Sequence, residues 1–208
     1  ITQTFELEYS KEEYNEAEYF LFDSNSYLRS VYEDQPEKCY SLRCPTCKVY
    51  IEQNKDLIIK KKTFGAKMIS LSWEEELIVS PDVKNLFEES KIENLDFRPV
   101  FNNYEEINPI AYQVIATNIL PSNDTRTEMR QVISCDSCNF KSFVLTPEHA
   151  MYYSKDEINK FHDINRTYEF FGSGFFPRPY LVVSKKVREM VLNNKVKGVT
   201  FQPIFFAY

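Results

Sequence analysis

Five cysteines, Cys39, Cys44, Cys47, Cys135 and Cys138, carry the most specific chemistry in this 208-residue chain. Four of them form two C-x-x-C pairs, "CPTC" and "CDSC". A C-x-x-C turn sets two thiolates on one side of a tight knuckle, spaced for adjacent corners of a tetrahedron, and two such knuckles close a structural zinc site. The pairs stand 91 residues apart (44 to 135), further than in the familiar short zinc motifs. A redox dithiol, disulfides and plain buried thiols compete with that reading. A thioredoxin-type dithiol needs its C-x-x-C to open a helix whose dipole stabilises the first thiolate. Here β-forming residues follow both pairs. The expectation is therefore one Zn2+ held by Cys44, Cys47, Cys135 and Cys138, with Cys39 an ordinary buried or free thiol.

No other constellation competes with the cysteines. The two histidines, His149 and His162, have no partner that the sequence identifies and are expected to be structural or at the surface. A Gly-rich phosphate loop, a G-x-S-x-G elbow and an H-E-x-x-H pair are all missing, so an enzyme ranks last among the function classes. Aromatic runs such as "YYSK" and "FFGSGFFPRPY" could stack bases but sit beside strand-like segments, where core is the simpler use. A formal charge of −6 argues against general binding to a phosphate backbone and favours a basic partner. The acidic run Glu74, Glu75 and Glu76 is a candidate contact, although such a run is more often a solvated face. With 17 Phe, 14 Tyr and only 4 Gly the chain can bury a core. No segment resembles a membrane span or a signal peptide, which points to a cytoplasmic protein that contacts no membrane; the chain opens at Ile1 rather than Met, so a preceding segment stays open.

The elements that must position the cysteines follow an internal repeat. "SPDVKNLFEESKIENLDFRPVF" at 80–101 returns without a gap as "SKKVREMVLNNKVKGVTFQPIF" at 184–205, an offset of 104 residues (80 to 184). Within it Ser80 is an N-cap, Pro81 suits the first helical position and Asp82 complements the helix dipole. Val83, Leu86 and Phe87, matched by Val187, Met190 and Val191, form one buried stripe on a short helix. The strand "LDFRPVF" follows, with Pro99 marking an edge or a bulge. Upstream, Phe5, Leu7 and Tyr9 alternate as a strand, "KEEYNEAEYFLFD" is undecided between helix and irregular chain, and "SNSYLRSVYEDQPEK" is helix or loop. Each cysteine pair sits in a strand, tight turn and strand. "TPEHAMYYSKDEINKFHDIN" is expected to be a helical insertion without a counterpart in the first half. The result is an α+β fold: a single domain of two similar β-rich halves, about 1–104 and 105–208, each with a knuckle and a short helix, sharing one four-cysteine site.

This combination resembles a known group. A C-x-x-C in each half, a Phe-Gly before "LIVS" and "LVVS", then a short helix and "LDFRPV" or "VTFQPI", is similar to the bacterial double-CxxCG-motif immunity proteins of polymorphic toxin systems. The resemblance covers most of the chain through short motifs. Lys48 and Asn139 stand where that family carries Gly, and Asn tolerates left-handed backbone better than Lys. What the resemblance implies is a cytoplasmic, non-catalytic protein that binds and neutralises a cognate protein toxin, with a structural zinc and no nucleic acid. The alternative is a zinc-ribbon protein associated with nucleic acid or with regulation.

Overall fold

The computed structural model describes residues 8–207 apart from 33, 61–63, 104, 106 and 147–148. The strand expected around Phe5 and Leu7 lies outside the described residues. The undecided stretch after it divides in two. Ser10 and Glu13 form a reciprocal capping box that opens a six-residue helix, α1 (Lys11–Glu16). The run Tyr19–Ser24 becomes β1, with Phe20, Leu21 and Phe22 all buried because both faces of the strand are covered.

The chain then forms β2 (Tyr27–Leu28), a 3-10 turn at Pro36–Lys38, and the hairpin β3 (Tyr40–Leu42) with β4 (Tyr50–Gln53). After β5 (Leu57–Ile58), β6 (Ile69–Ser72) and β7 (Leu77–Val79) comes helix α2 (Pro81–Glu89), then β8 (Leu95–Phe101). The second half runs β9 (Ala111–Ala116), the hairpin β10 (Met129–Cys135) with β11 (Phe140–Leu145), and β12 (Met151–Ser154). It ends with β13 (Ile164–Arg166), β14 (Leu181–Ser184), helix α3 (Lys185–Asn193) and β15 (Val199–Ala207).

The protein is mostly β, and its helices are short. The expected helical insertion is corrected: β12, a 3-10 stretch at Lys155–Lys160 and β13 occupy it. Tertiary pairing overrides local propensity there, because β12 lies parallel to β15 and β13 antiparallel to β14.

Two main sheets carry the fold, one in the order β2-β6-β7-β9-β8-β5 and the other β12-β15-β1-β14-β13. Their registers correspond. β9 runs between β8 and β7, with Tyr112 opposite Pro99 and Val79. β1 runs between β15 and β14, with Phe20 opposite Pro203 and Val183. A parallel outer strand places Leu57 opposite Val100 in one sheet and Met151 opposite Ile204 in the other. Each sheet therefore takes its inner strand from the far half of the sequence. After β1 the chain crosses sheets, so that Tyr27 lies beside Leu71; after β9 it crosses back, so that Ile119 bridges Arg166.

Pro99 and Pro203 each sit one residue before the outer parallel strand joins, so the missing N–H falls where no neighbour needs it. The expected edge position therefore holds locally, and the register of β8 with β9 carries no bulge.

Both helices begin with a serine N-cap, whose side chain accepts from Val83 N in α2 and from Val187 N in α3. They end alike, with Lys91 and Lys195 at φ 49° and 55°. Val83, Phe87, Val187 and Val191 are buried in one core shared by the two sheets, together with Phe20, Phe22, Ile69 and Val79. Leu86 and Met190 are only partly buried, at equivalent places on the rim of that core. No described helix is long and apolar enough to cross a membrane.

Candidate metal centre

The two hairpins bring all four C-x-x-C cysteines together, as the sequence predicts. Their sulfurs lie within 4.8 Å of one another. Cys44 Sγ is 3.5 Å from Cys47 Sγ and 3.7 Å from Cys135 Sγ, and Cys47 Sγ is 3.8 Å from Cys138 Sγ. A tetrahedron with metal–sulfur bonds of ~2.3 Å has edges of about 3.8 Å, so the spacing fits a four-thiolate metal site. It does not fit disulfides, whose sulfurs lie at about 2.05 Å. All five described cysteines are free.

Each knuckle is built by its own backbone. Lys48 N donates to Cys44 O at 3.1 Å, and Cys47 N points at Cys44 Sγ at 3.5 Å. The residue after each second cysteine must turn left-handed, and Lys48 adopts φ 55° and Asn139 φ 56°. The first knuckle therefore has the same geometry as the second without a glycine, at a strain of about 1 kcal/mol for Lys.

The electrostatics of the cluster follow from its donors. The backbone N–H of Cys47 is the main cause that lowers the Cys44 thiol to about 6. Burial, and then the neighbouring sulfurs, raise Cys47 to about 11. Thiols this close resist sharing negative charge, and a divalent cation removes that conflict by holding every ligand as thiolate. An apolar shell backs the site on one side, with Val49 and Phe140 buried against it and Ile51, Ile133 and Phe170 around them, while Cys47 and Cys138 stay partly open to solvent. Four protein sulfurs leave no open coordination position, as in structural rather than catalytic zinc sites.

Cys39 is fully buried and lies outside the cluster; its thiol donates to Lys55 O at 3.3 Å, and burial raises it to about 11. His149 pairs with Glu128 at 3.2 Å, and His162 is exposed.

A second network, which the sequence does not reveal, supports the centre from behind. Arg178 Nε donates to Glu76 Oε1 at 2.8 Å and its Nη1 to Tyr50 O at 2.7 Å, so the segment before β14 is tied to the first hairpin. Tyr50 N donates to Phe175 O at 2.8 Å. Gln113 Nε2 completes the Glu76 carboxylate at 2.8 Å.

The acidic run is corrected at the same time. Glu74 is buried with its carboxylate on Ser30 Oγ, and Glu76 is committed to Arg178, which leaves only Glu75 as an exposed acid. No spacing signal could have found the Arg178 pair, since its partners are 102 residues apart. The aromatic runs also divide: Tyr153, Phe171 and Phe176 are core, whereas Phe175 and Tyr180 reach solvent. Compared with known proteins, the chain matches no family model and no curated protein.

Proposed function

We propose that the chain is a zinc-stapled binding protein of the immunity type, which sequesters and neutralises a cognate protein toxin in the cytoplasm. The observation that carries the metal half of this reading is the four-sulfur cluster, two ligands from each hairpin at tetrahedral spacing. Zinc is the ion that suits four thiolates in a closed tetrahedral site. It links two hairpins from opposite halves of the sequence, so its role is to hold a binding surface in shape. The partner half of the reading draws on the motif resemblance and on a net charge of −6 suited to a basic partner.

In the same reading, the two halves descend from one duplicated unit of about a hundred residues. The matched registers of the two sheets, the serine-capped helices and the paired left-handed residues after each knuckle support that origin.

Metal analysis of protein purified without added zinc tests the first half. One zinc per chain is expected, lost in a Cys44→Ser, Cys135→Ser double variant. Co-expression with the product of the adjacent gene in a sensitive host tests the second: protection and an isolable complex are expected. A harmless neighbour, or lethality that persists with no complex formed, ends the immunity reading; DNA or RNA binding that weakens steeply with salt would replace it with the nucleic-acid alternative.

A further inference from the structure

A cleft of about 1150 Å³ opens between the two sheets and shares Ile51, Phe170 and the Arg178–Glu76 pair with the surroundings of the cysteine cluster. Aromatic side chains line it while remaining open to solvent: Tyr27 is 64% exposed, Phe175 55%, Trp73 39% and Tyr180 36%. Exposed aromatic surface gathered in a concavity marks a binding site rather than leftover surface. The rings are held in place. Tyr180 stacks on Phe171 at 4.2 Å with the planes 3° apart, and Trp73 meets Phe176 edge-on at 5.4 Å.

Most charges of the cleft are paired, and three are not: the carboxylates of Asp23 and Glu75, and Arg166. Arg98 is occupied by Asp56 at 3.0 Å and by Gln53 O, Arg178 by Glu76 and Tyr50 O, and His149 by Glu128. Arg166 is the remaining cation in the lining; it forms no ion pair among the described residues, and its Nε is buried without a hydrogen-bond partner. Asp23 and Glu75 line the same cleft and have no basic partner at salt-bridge distance among the described residues. Enclosure by the cleft walls is the main cause that raises both carboxyls; Asp23 adds to it at Glu75, while the Arg178 charge opposes it there and the Ser24 N–H opposes it at Asp23, and both acids add to burial in raising the hydroxyls of Tyr27 and Tyr180. Two carboxylates without an ion pair, set among aromatic faces, attract a cation.

We propose that this cleft receives a basic segment of a partner protein, with an Arg or Lys side chain entering between Tyr27, Trp73 and Tyr180 to meet Asp23 and Glu75. The volume exceeds the roughly 300–1000 Å³ of small-molecule pockets and suits a loop of several residues. The inference deepens the binding-protein reading by naming its surface, and rests on that reading only for the partner's identity.

Trp73 is the one tryptophan of the chain, so its fluorescence reports occupancy of the cleft directly. The zinc-loaded full chain is titrated with an acetylated, amidated Gly-Arg-Gly-Arg-Gly peptide, with its Glu-for-Arg counterpart, and with spermidine. A saturable change is expected with the Arg peptide alone. An Asp23→Asn, Glu75→Gln double variant should weaken that binding about tenfold with zinc content and circular dichroism unchanged. The proposal is overturned by no saturable change, by an equal response to the Glu peptide, by spermidine binding as tightly as the Arg peptide, or by full affinity in the double variant. Co-expression separates the two readings. Full protection by the double variant removes the cleft as the docking surface and leaves the immunity reading standing, whereas Arg-peptide binding without protection by the wild type does the reverse.

Discussion

Glu74 lies fully buried in the turn after β6, where Ser30 Oγ donates to one carboxylate oxygen and the other has no partner. Burial is the main cause that raises its pKa. An acid whose folded pKa stands above its unfolded value costs stability when charged, and that cost disappears as pH falls from the folded pKa through the unfolded one. Glu74→Gln should therefore match or exceed wild-type stability at pH 7 and flatten the gain on acidification, which melting curves between pH 4 and 7 would show. At the metal centre, Lys48 holds a left-handed conformation that glycine adopts freely. Lys48→Gly should stabilise the zinc-loaded protein by about 0.5–1 kcal/mol, with Asn139→Gly gaining less, as read by denaturant unfolding. The cysteines were legible from sequence because a C-x-x-C knuckle is local and needs no knowledge of the fold. Glu74 was not, since a run of three glutamates gives no sign of which one turns inward.

At the scale of elements, α2 and α3 were legible because a serine cap and an apolar stripe lie within ten consecutive residues, with Asp82 on the dipole adding a third signal in α2 alone. Ser80 and Ser184 make the same N-cap, and each hydroxyl has one further bond, Ser80 Oγ accepting from Met68 N and Ser184 Oγ donating to Asp163, so Ser80→Ala and Ser184→Ala should each cost about 1–2 kcal/mol. Phe87 is fully buried and Leu86 only in part, so Phe87→Ala should cost about 3–5 kcal/mol and Leu86→Ala clearly less. Thermal or chemical denaturation of the four variants tests both expectations. The expected helix within 146–165 was misread because nothing local distinguishes a strand that pairs with β15 from an amphipathic helix. Gly198 is a related case at a junction: its φ is 80°, and a Cβ there would lie 2.2 Å from Ile69 O. The obstacle is backbone and cannot swing aside, so Gly198→Ala should destabilise by more than about 3 kcal/mol.

Across the whole molecule, a metal in the four-cysteine site would join two hairpins, each a two-stranded sheet of its own, from different halves of the sequence. Removing it, by chelation or through Cys44→Ser, should lower the melting temperature by about 10 °C and raise hydrogen exchange in both sheets rather than in one corner. Which strand pairs with which was the part that sequence could not supply, because Phe20 finds its partners at Val183 and Pro203. That arrangement has a consequence during synthesis. β1 (Tyr19–Ser24) leaves the ribosome well before β14 (Leu181–Ser184) and β15 (Val199–Ala207), so at 5–20 residues per second a Phe-rich strand waits for its neighbours for on the order of ten seconds. The six-stranded sheet waits as well, open along its middle until β9 emerges. Successive nascent chains on one message thus present one another with complementary gaps and strands, so cross-pairing between copies competes with folding until β15 is free.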